Sequence, residues 1–216
     1  MLFIKTFVFN PFSENTSVVY DESLEAVVID PGCYEREEND ELDSFINAKK
    51  LRVKYLLNTH CHIDHVLGNF HIKEKYKVPF LMHKKEEFIL RAMKAYAPSY
   101  GFTNYSEVLP DQFLEEGEYV AFGNSKLKVL FVPGHAPGHI AFYNEKEKIL
   151  IGGDVLFQGS VGRTDLPGGN HETLINSIHQ KLFVLPDDVV VYPGHGDTTT
   201  LGEEKISNPF CALSLH

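Results

Sequence analysis

Short runs of β-branched and aromatic residues, separated by turn residues, open the chain. "LFIKTFVF", "SVVYD" and "EAVVID" read as strands, and "DPGCY" stops the third. Residues 35–50 carry Leu42, Phe45 and Ile46 at helical spacing, with acids early and Lys49 and Lys50 late, as the helix dipole favours. "VKYLLN" reads as a buried strand running straight into His60, and a helix is expected over residues 64–76. "VPFLMH" is another short strand; residues 84–95 are helical, and Pro98 ends them. "PSYGFTNYSEVLPDQF" reads as a loop or joint between two halves. The second half gives strands in "EYVAF", "KLKVLFVPGH", "HIAFYN" and "KILIGGD", then a Gly-rich loop, "FQGSVGRTDLPGGN". A helix over residues 171–182, a strand "DVVVYPGH" and a short helix near "LGEEK" follow. Strands precede helices in each half, which predicts an α/β fold of two β-sheets between helical layers.

Composition narrows the function classes. Apolar residues make up 43 % and charged residues 23 % of 216 residues, ordinary for a soluble globular protein with a sizeable core. A formal charge of −10 argues against a non-specific nucleic-acid binder, which needs a positive face. Cys33, Cys61 and Cys211 form no CxxC and cannot all pair, which fits a reducing, cytoplasmic compartment. The opening "MLFIKTFVF" carries Lys5 inside its apolar run and has no cleavage site, so it reads as a strand rather than a signal peptide. No run is long enough for a membrane span. Oligomeric state is left open.

The chemistry concentrates in "HCHIDH", His60 to His65. Imidazole and carboxylate groups on rigid backbone suit a borderline divalent metal. His60 and His62 are two apart in a turning segment, so both rings can converge on one ion. Asp64 and His65, at the start of a helix, can face a second. Downstream, His135 ends "KVLFVPGH", Asp154 ends "ILIGGD" and His195 ends "VVVYPGH". Each follows an apolar run and a small-residue turn, so several strand ends point polar side chains at one sheet edge.

"HCHIDH" matches the H-x-H-x-D-H signature of the metallo-β-lactamase superfamily, and His135, Asp154 and His195 match its later motifs in order. The resemblance runs from "VVIDPG" to "YPGHG". It implies an αββα sandwich with a dinuclear site: His60, His62 and His135 on one ion, Asp64, His65 and His195 on the other, and Asp154 bridging. The ions implied are two divalent metals, zinc first, with iron or manganese admitted by the same donors. "GGDVLFQGSVGRTDLPGG" and "YPGHGDTTTLGEEKISNPF" resemble the glyoxalase II-like branch, in particular its short bacterial members, which hydrolyse thioesters such as S-lactoylglutathione. Two metals can share a water, lower its pKa towards about 7 and give a hydroxide that attacks the thioester carbonyl. Asp64 would hold metal and help orient that hydroxide, and a metal would stabilise the oxyanion that develops.

The sequence departs from the family in three places. Where the family often has two glycines after the signature, this chain has Gly68 and Asn69. Cys61 occupies a free position and reads as a small buried filler. Full-length glyoxalase II enzymes carry a helical C-terminal glutathione-binding extension, whereas here about twenty residues follow His195, so one domain over residues 1–216 is expected. The substrate contacts are therefore open. Arg163 is either an anion contact or a structural arginine pinning the Gly-rich loop to Asp165. Tyr143 and Lys146 are weaker candidates. The alternative activity is a persulfide dioxygenase of the same superfamily, which would use one iron on His60, His135 and Asp154. A nucleic-acid enzyme and a metal scaffold fit the acidic balance less well, and antibiotic hydrolysis calls for an exported protein. His71, His83, His171, His179 and His216 read as surface or cap residues. His139 reads as a turn residue rather than a partner of a ligand, and Asp30 as a hydrogen-bonding support for a metal-binding histidine.

Overall fold

In the computed structural model, which describes residues 1–215, two units each carry a mixed sheet and helices. The first comprises Met1–Leu114 with Ala121–Lys126; the second comprises Glu115–Val120 and the chain from Leu127 on. His216 lies outside the described residues.

In the first unit, β1 (Leu2–Phe9) and β2 (Glu14–Asp21) form an antiparallel hairpin, in register from Leu2↔Asp21 to Phe9↔Glu14. β2 also pairs with β3 (Glu25–Ile29) and is buried along nearly its whole length. Beyond β3 the pairing turns parallel, through β4 (Arg52–Leu57), β5 (Phe80–Met82) and β6 (Gln112–Phe113). Parallel neighbours need crossovers, and α1 (Arg36–Ala48) supplies the first. Glu35 and Glu38 form its capping box, and Leu42 and Ile46 face the interior. The helix ends before Lys49, and Lys50 has a left-handed φ of 55°, so the two lysines close the helix instead of riding on its last turn.

The helix expected over residues 64–76 is broken in two: α2 (Ile63–Val66) and α3 (Asn69–Tyr76). Gly68 is the reason. Its N–H donates to Pro31 O at 2.8 Å, and a Cβ there would stand 2.4 Å from Cys33 Sγ. Only a glycine admits that approach. α4 (Glu87–Tyr96) follows β5 and buries Ile89, Leu90 and Met93. The expected joint over residues 98–113 holds a short 3₁₀ turn and then adds β6 to the sheet edge.

The second sheet has the order β14-β13-β10-β9-β8-β7. Its strands are β7 (Tyr119–Phe122), β8 (Ser125–Phe131), β9 (Ile140–Asn144), β10 (Ile149–Gly153), β13 (Val190–Pro193) and β14 (Thr199–Thr200). Within the Gly-rich loop, β11 (Leu156–Phe157) and β12 (Ser160–Val161) form a small hairpin. α5 (His171–Ser177) starts at Asn170, whose side chain accepts from Thr173 N at 2.8 Å, and ends in a π-turn to Leu182. α6 (Leu201–Ser207) follows β14. Leu130, Leu150, Val191, Leu174 and Ile178 share one apolar cluster. Each side chain of that size contributes about 1.5–3 kcal/mol when fully buried.

Strand direction positions the chemistry. β3 and β4 run parallel, and the loops at their carboxyl ends carry Asp30 and the stretch His60 to His65. In the second unit β9 is antiparallel to both β8 and β10, while β13 is parallel to β10. β8, β10 and β13 therefore run one way, and His135, Asp154 and His195 follow their carboxyl ends, where α/β sheets place ligand sites. Among the described residues no helix is long and apolar enough to cross a membrane.

Candidate metal centre

The first unit's donors are built around Asp30, which has a left-handed φ of 50°. Its Oδ1 accepts from Thr59 N at 2.7 Å and Asn58 Nδ2 at 3.2 Å; its Oδ2 accepts from Thr59 Oγ1 at 2.6 Å. The Nδ1 of His65 stands 3.2 Å from the same Oδ2. Both Asp30 oxygens are thus engaged, and the residue fixes its neighbours, as the support role requires. Thr59 gives its hydroxyl proton to Asp30, so its oxygen is the acceptor for His60 Nδ1 at 3.1 Å. That bond fixes the tautomer and leaves Nε2 of His60 with its lone pair. In His65, Nδ1 faces Asp30 and Nε2 lies 3.6 Å from Asp64 Oδ2.

The rings crowd together. The His60 and His65 centroids are 4.1 Å apart and those of His60 and His62 are 4.8 Å apart, while donor atoms of Asp30, His60 and His65 lie within 4.8 Å of one another. His60 and His65 are fully buried. The family departure at Asn69 has a physical account: its Nδ2 donates to Asn58 Oδ1 at 2.8 Å, while Asn58 Nδ2 holds His65 O at 2.8 Å. Cys61 turns into the interior, with Sγ 3.4 Å from Met82 Sδ and its N–H on Glu86 Oε2 at 2.9 Å. Burial pushes its thiol well above the ordinary range.

The second unit's donors converge on Asp154. Its Oδ2 lies 3.6 Å from His135 Nε2 and 3.5 Å from His195 Nε2. Nδ1 of His135 is tied to Arg163 O at 2.8 Å, so Nε2 is again the nitrogen left for a ligand. Gly162 permits this fold of the loop: a Cβ there would meet Asp154 O at 1.9 Å and His135 Nδ1 at 3.1 Å. His139, read from sequence as a turn residue, is fully buried, and its Nε2 accepts from Asp154 N at 3.0 Å. A backbone N–H can only donate, so Nε2 of His139 carries no proton. Its position four residues after His135 is visible in the sequence; the register that brings it under Asp154 is not.

The substrate-contact candidates fall in different settings. Arg163 makes a bidentate pair with Asp165, both contacts 2.7 Å, in an exposed loop. The hydrogen bond from Arg163 holds the Asp165 carboxyl down at about 2. Tyr143 is buried in the apolar cluster of the second unit. Lys146 is exposed on a turn, with Glu147 4.0 Å away.

Both donor sets fit a divalent metal. Each offers imidazole nitrogens and carboxylate oxygens; Nδ1 of His60 and of His135 is hydrogen-bonded to a protein oxygen, and Nδ1 of His65 faces Asp30 Oδ2 at 3.2 Å. Hydroxyacylglutathione hydrolase GloC of Haemophilus influenzae is 41 % identical over 92 % of this chain and 93 % of its own length. Persulfide dioxygenase of Bos taurus is 32 % identical over 89 % of this chain and 69 % of its length. Among solved structures, the BLEG-1 B3 metallo-β-lactamase has a TM-score of 0.88 at 34 % identity, covering 97 % of this chain and 99 % of its own. A protein solved in a di-iron-bound form has a TM-score of 0.85 at 35 % identity, covering 95 % and 99 %. With the superfamily's own pattern matched over residues 10–195, the chain belongs to the metallo-β-lactamase superfamily.

Proposed function

We propose that the protein is a metal-dependent thioester hydrolase acting on a small hydroxyacyl thioester of the S-lactoylglutathione class. One ion would sit on His60, His62 and His135, and the other on Asp64, His65 and His195, with Asp154 between them. The observation that carries this is Asp154 Oδ2, standing at nearly equal distances from two imidazole Nε2 atoms, 3.6 Å and 3.5 Å. A carboxylate so placed suits a shared ligand better than a single hydrogen bond, because neither contact is within hydrogen-bond range. The 41 % identity to a hydroxyacylglutathione hydrolase supports the thioester class.

When bound, such ions supply Lewis-acid polarisation and a water of lowered pKa. The chain's own residues do the rest. Thr59 holds His60 in the tautomer that presents Nε2, and Asp30, which anchors Thr59, also faces Nδ1 of His65. His139 and Arg163 O hold Asp154 and His135. Asp64 orients the attacking water, and the departing thiolate is a weak base that needs no strong general acid. Of the substrate-contact candidates, Arg163 is the one in keeping with a glutathione carboxylate; it would exchange Asp165 for the ligand. Tyr143 serves packing, and Lys146 at most a long-range attraction. The setting we assign is the cytoplasm, over residues 1–216 as one catalytic domain.

The second activity, glutathione persulfide oxygenation on one iron at His60, His135 and Asp154, is favoured by the 32 % identity to a persulfide dioxygenase. One variant separates the two. Asp64→Ala should cut thioester hydrolysis by about 100-fold or more. A mononuclear dioxygenase would keep most of its turnover in the same variant. His60→Ala and Asp154→Ala should abolish either activity.

A further inference from the structure

The turn between β1 and β2 lies outside the family signature, yet it reaches the metal-binding helix. Asn10 has a left-handed φ of 52°, a conformation that Asn and Gly tolerate. Its Oδ1 accepts from Phe12 N at 3.0 Å, which closes the turn on itself. Its Nδ2 then spends both hydrogens on other loops: Gly32 O at 3.0 Å and Asp64 O at 3.1 Å. Its own N–H donates to Glu38 Oε1 at 2.6 Å, which anchors the turn to α1.

Gly32 is the pinch point. A Cβ on it would stand 2.6 Å from Asn10 Nδ2, 2.7 Å from Asp64 O and 2.1 Å from Glu14 Oε2. On the other side, Gly32 N donates to Thr16 Oγ1 at 2.8 Å, and Thr16 Oγ1 donates to Glu14 Oε2 at 2.8 Å. The loop after β3 is therefore gripped from both sides by β2 and its turn. α2 has only four residues and cannot hold its own height or rotation through internal hydrogen bonds. The Asn10 carboxamide supplies what the helix lacks, a fixed donor on the carbonyl of Asp64 itself.

We propose that Asn10 is a positioning residue for Asp64, its carboxamide setting the first turn of α2 so that the Asp64 carboxylate meets the second ion. The assignment rests on the two-ion centre proposed above. It predicts a defect confined to one ion and to turnover. Two variants isolate the carboxamide. Asn10→Gly keeps the left-handed backbone and removes the side chain. Asn10→Asp keeps the acceptor for Phe12 N and puts a carboxylate oxygen against two carbonyls.

Metal-free wild type and both variants are titrated with cobalt(II), following the visible spectrum and the number of ions bound, and thioester hydrolysis is measured on the loaded proteins. The expected result is unchanged first-ion uptake, a second-ion affinity lower by tenfold or more, and a fall in kcat with KM little changed. Asn10→Asp should be the more affected. If Asn10→Asp does not fold, Asn10→Gly carries the test alone. Two cobalt ions bound with wild-type affinity and wild-type kcat in the folded variants would overturn the role of Asn10. A wild type that itself takes up one cobalt ion would instead overturn the two-ion assignment.

Discussion

The backbone N–H of Asp154 donates at 3.0 Å to Nε2 of His139, a histidine that sits four residues beyond His135. His139 thereby fixes the start of the turn that presents the Asp154 carboxylate. Ligand-orienting groups of this kind typically carry 10–100-fold in metal affinity or activity. His139→Ala should lower kcat/KM by about that factor and reduce bound metal. His139→Gln, which retains a side-chain acceptor, should recover part of both. Equal activity in all three proteins would show that the contact is incidental.

Asp30 has a comparable task with a larger structural share. Replacing it with Ala strands Thr59 N and removes one of the two acceptors of Asn58 Nδ2 in a buried site. Losses of this kind cost about 1–3 kcal/mol for each buried group left without a partner. Asp30→Ala should therefore lower the urea midpoint markedly as well as the metal content. A variant with wild-type stability would contradict the arrangement around Thr59.

Asp43 makes a prediction about acid stability. It is buried, and it accepts from Lys75 Nζ at 2.5 Å and Tyr76 OH at 2.6 Å, with His71 Nε2 3.0 Å away. Burial alone acts to raise its carboxyl, but the hydrogen bonds from Lys75, Tyr76 and His71 outweigh it and hold the group below the usual range. A depressed folded-state value means that the stabilisation is fully present above the unfolded value of about 4. It is lost as pH falls through the lower folded value. Between pH 5 and pH 3 the urea midpoint of wild type should fall more steeply than that of Asp43→Asn. Parallel curves would count against the cluster.

The thiols should be silent in the native protein. Burial, and next the charge of Glu14, pushes Cys33 well above the ordinary thiol range; burial and Glu86 do the same for Cys61. Burial also raises Cys211 to about 12. An alkylating reagent at pH 8 should label none of the three until denaturant is added. Fast labelling of Cys61 in the folded state would reopen a redox role for it.

The metal-type residues were legible because each follows an apolar run and a small-residue turn, a local signal that survives without tertiary information. The family signature then ordered them. His139 was not legible as a partner of Asp154, since its role depends on the pairing of β8 with β9 and of β9 with β10. The break between α2 and α3 was hidden for a similar reason: Gly68 lies within an otherwise helical pattern, and only the approach of Pro31 and Cys33 forbids a continuous helix. Asn10 gave no signal beyond a turn residue, although its side chain reaches residues 22 and 54 positions away. Arg163 left two roles open in sequence, and its pairing with Asp165 is the one the structure displays.

Metal analysis joined to two assays on one preparation separates a two-ion thioester hydrolase from a one-iron dioxygenase. The expected result is about two divalent ions per chain and hydrolysis of S-lactoylglutathione that is lost on chelation and restored by metal. One iron per chain, with oxygen uptake on glutathione persulfide and no thioester hydrolysis, would overturn the two-ion hydrolase.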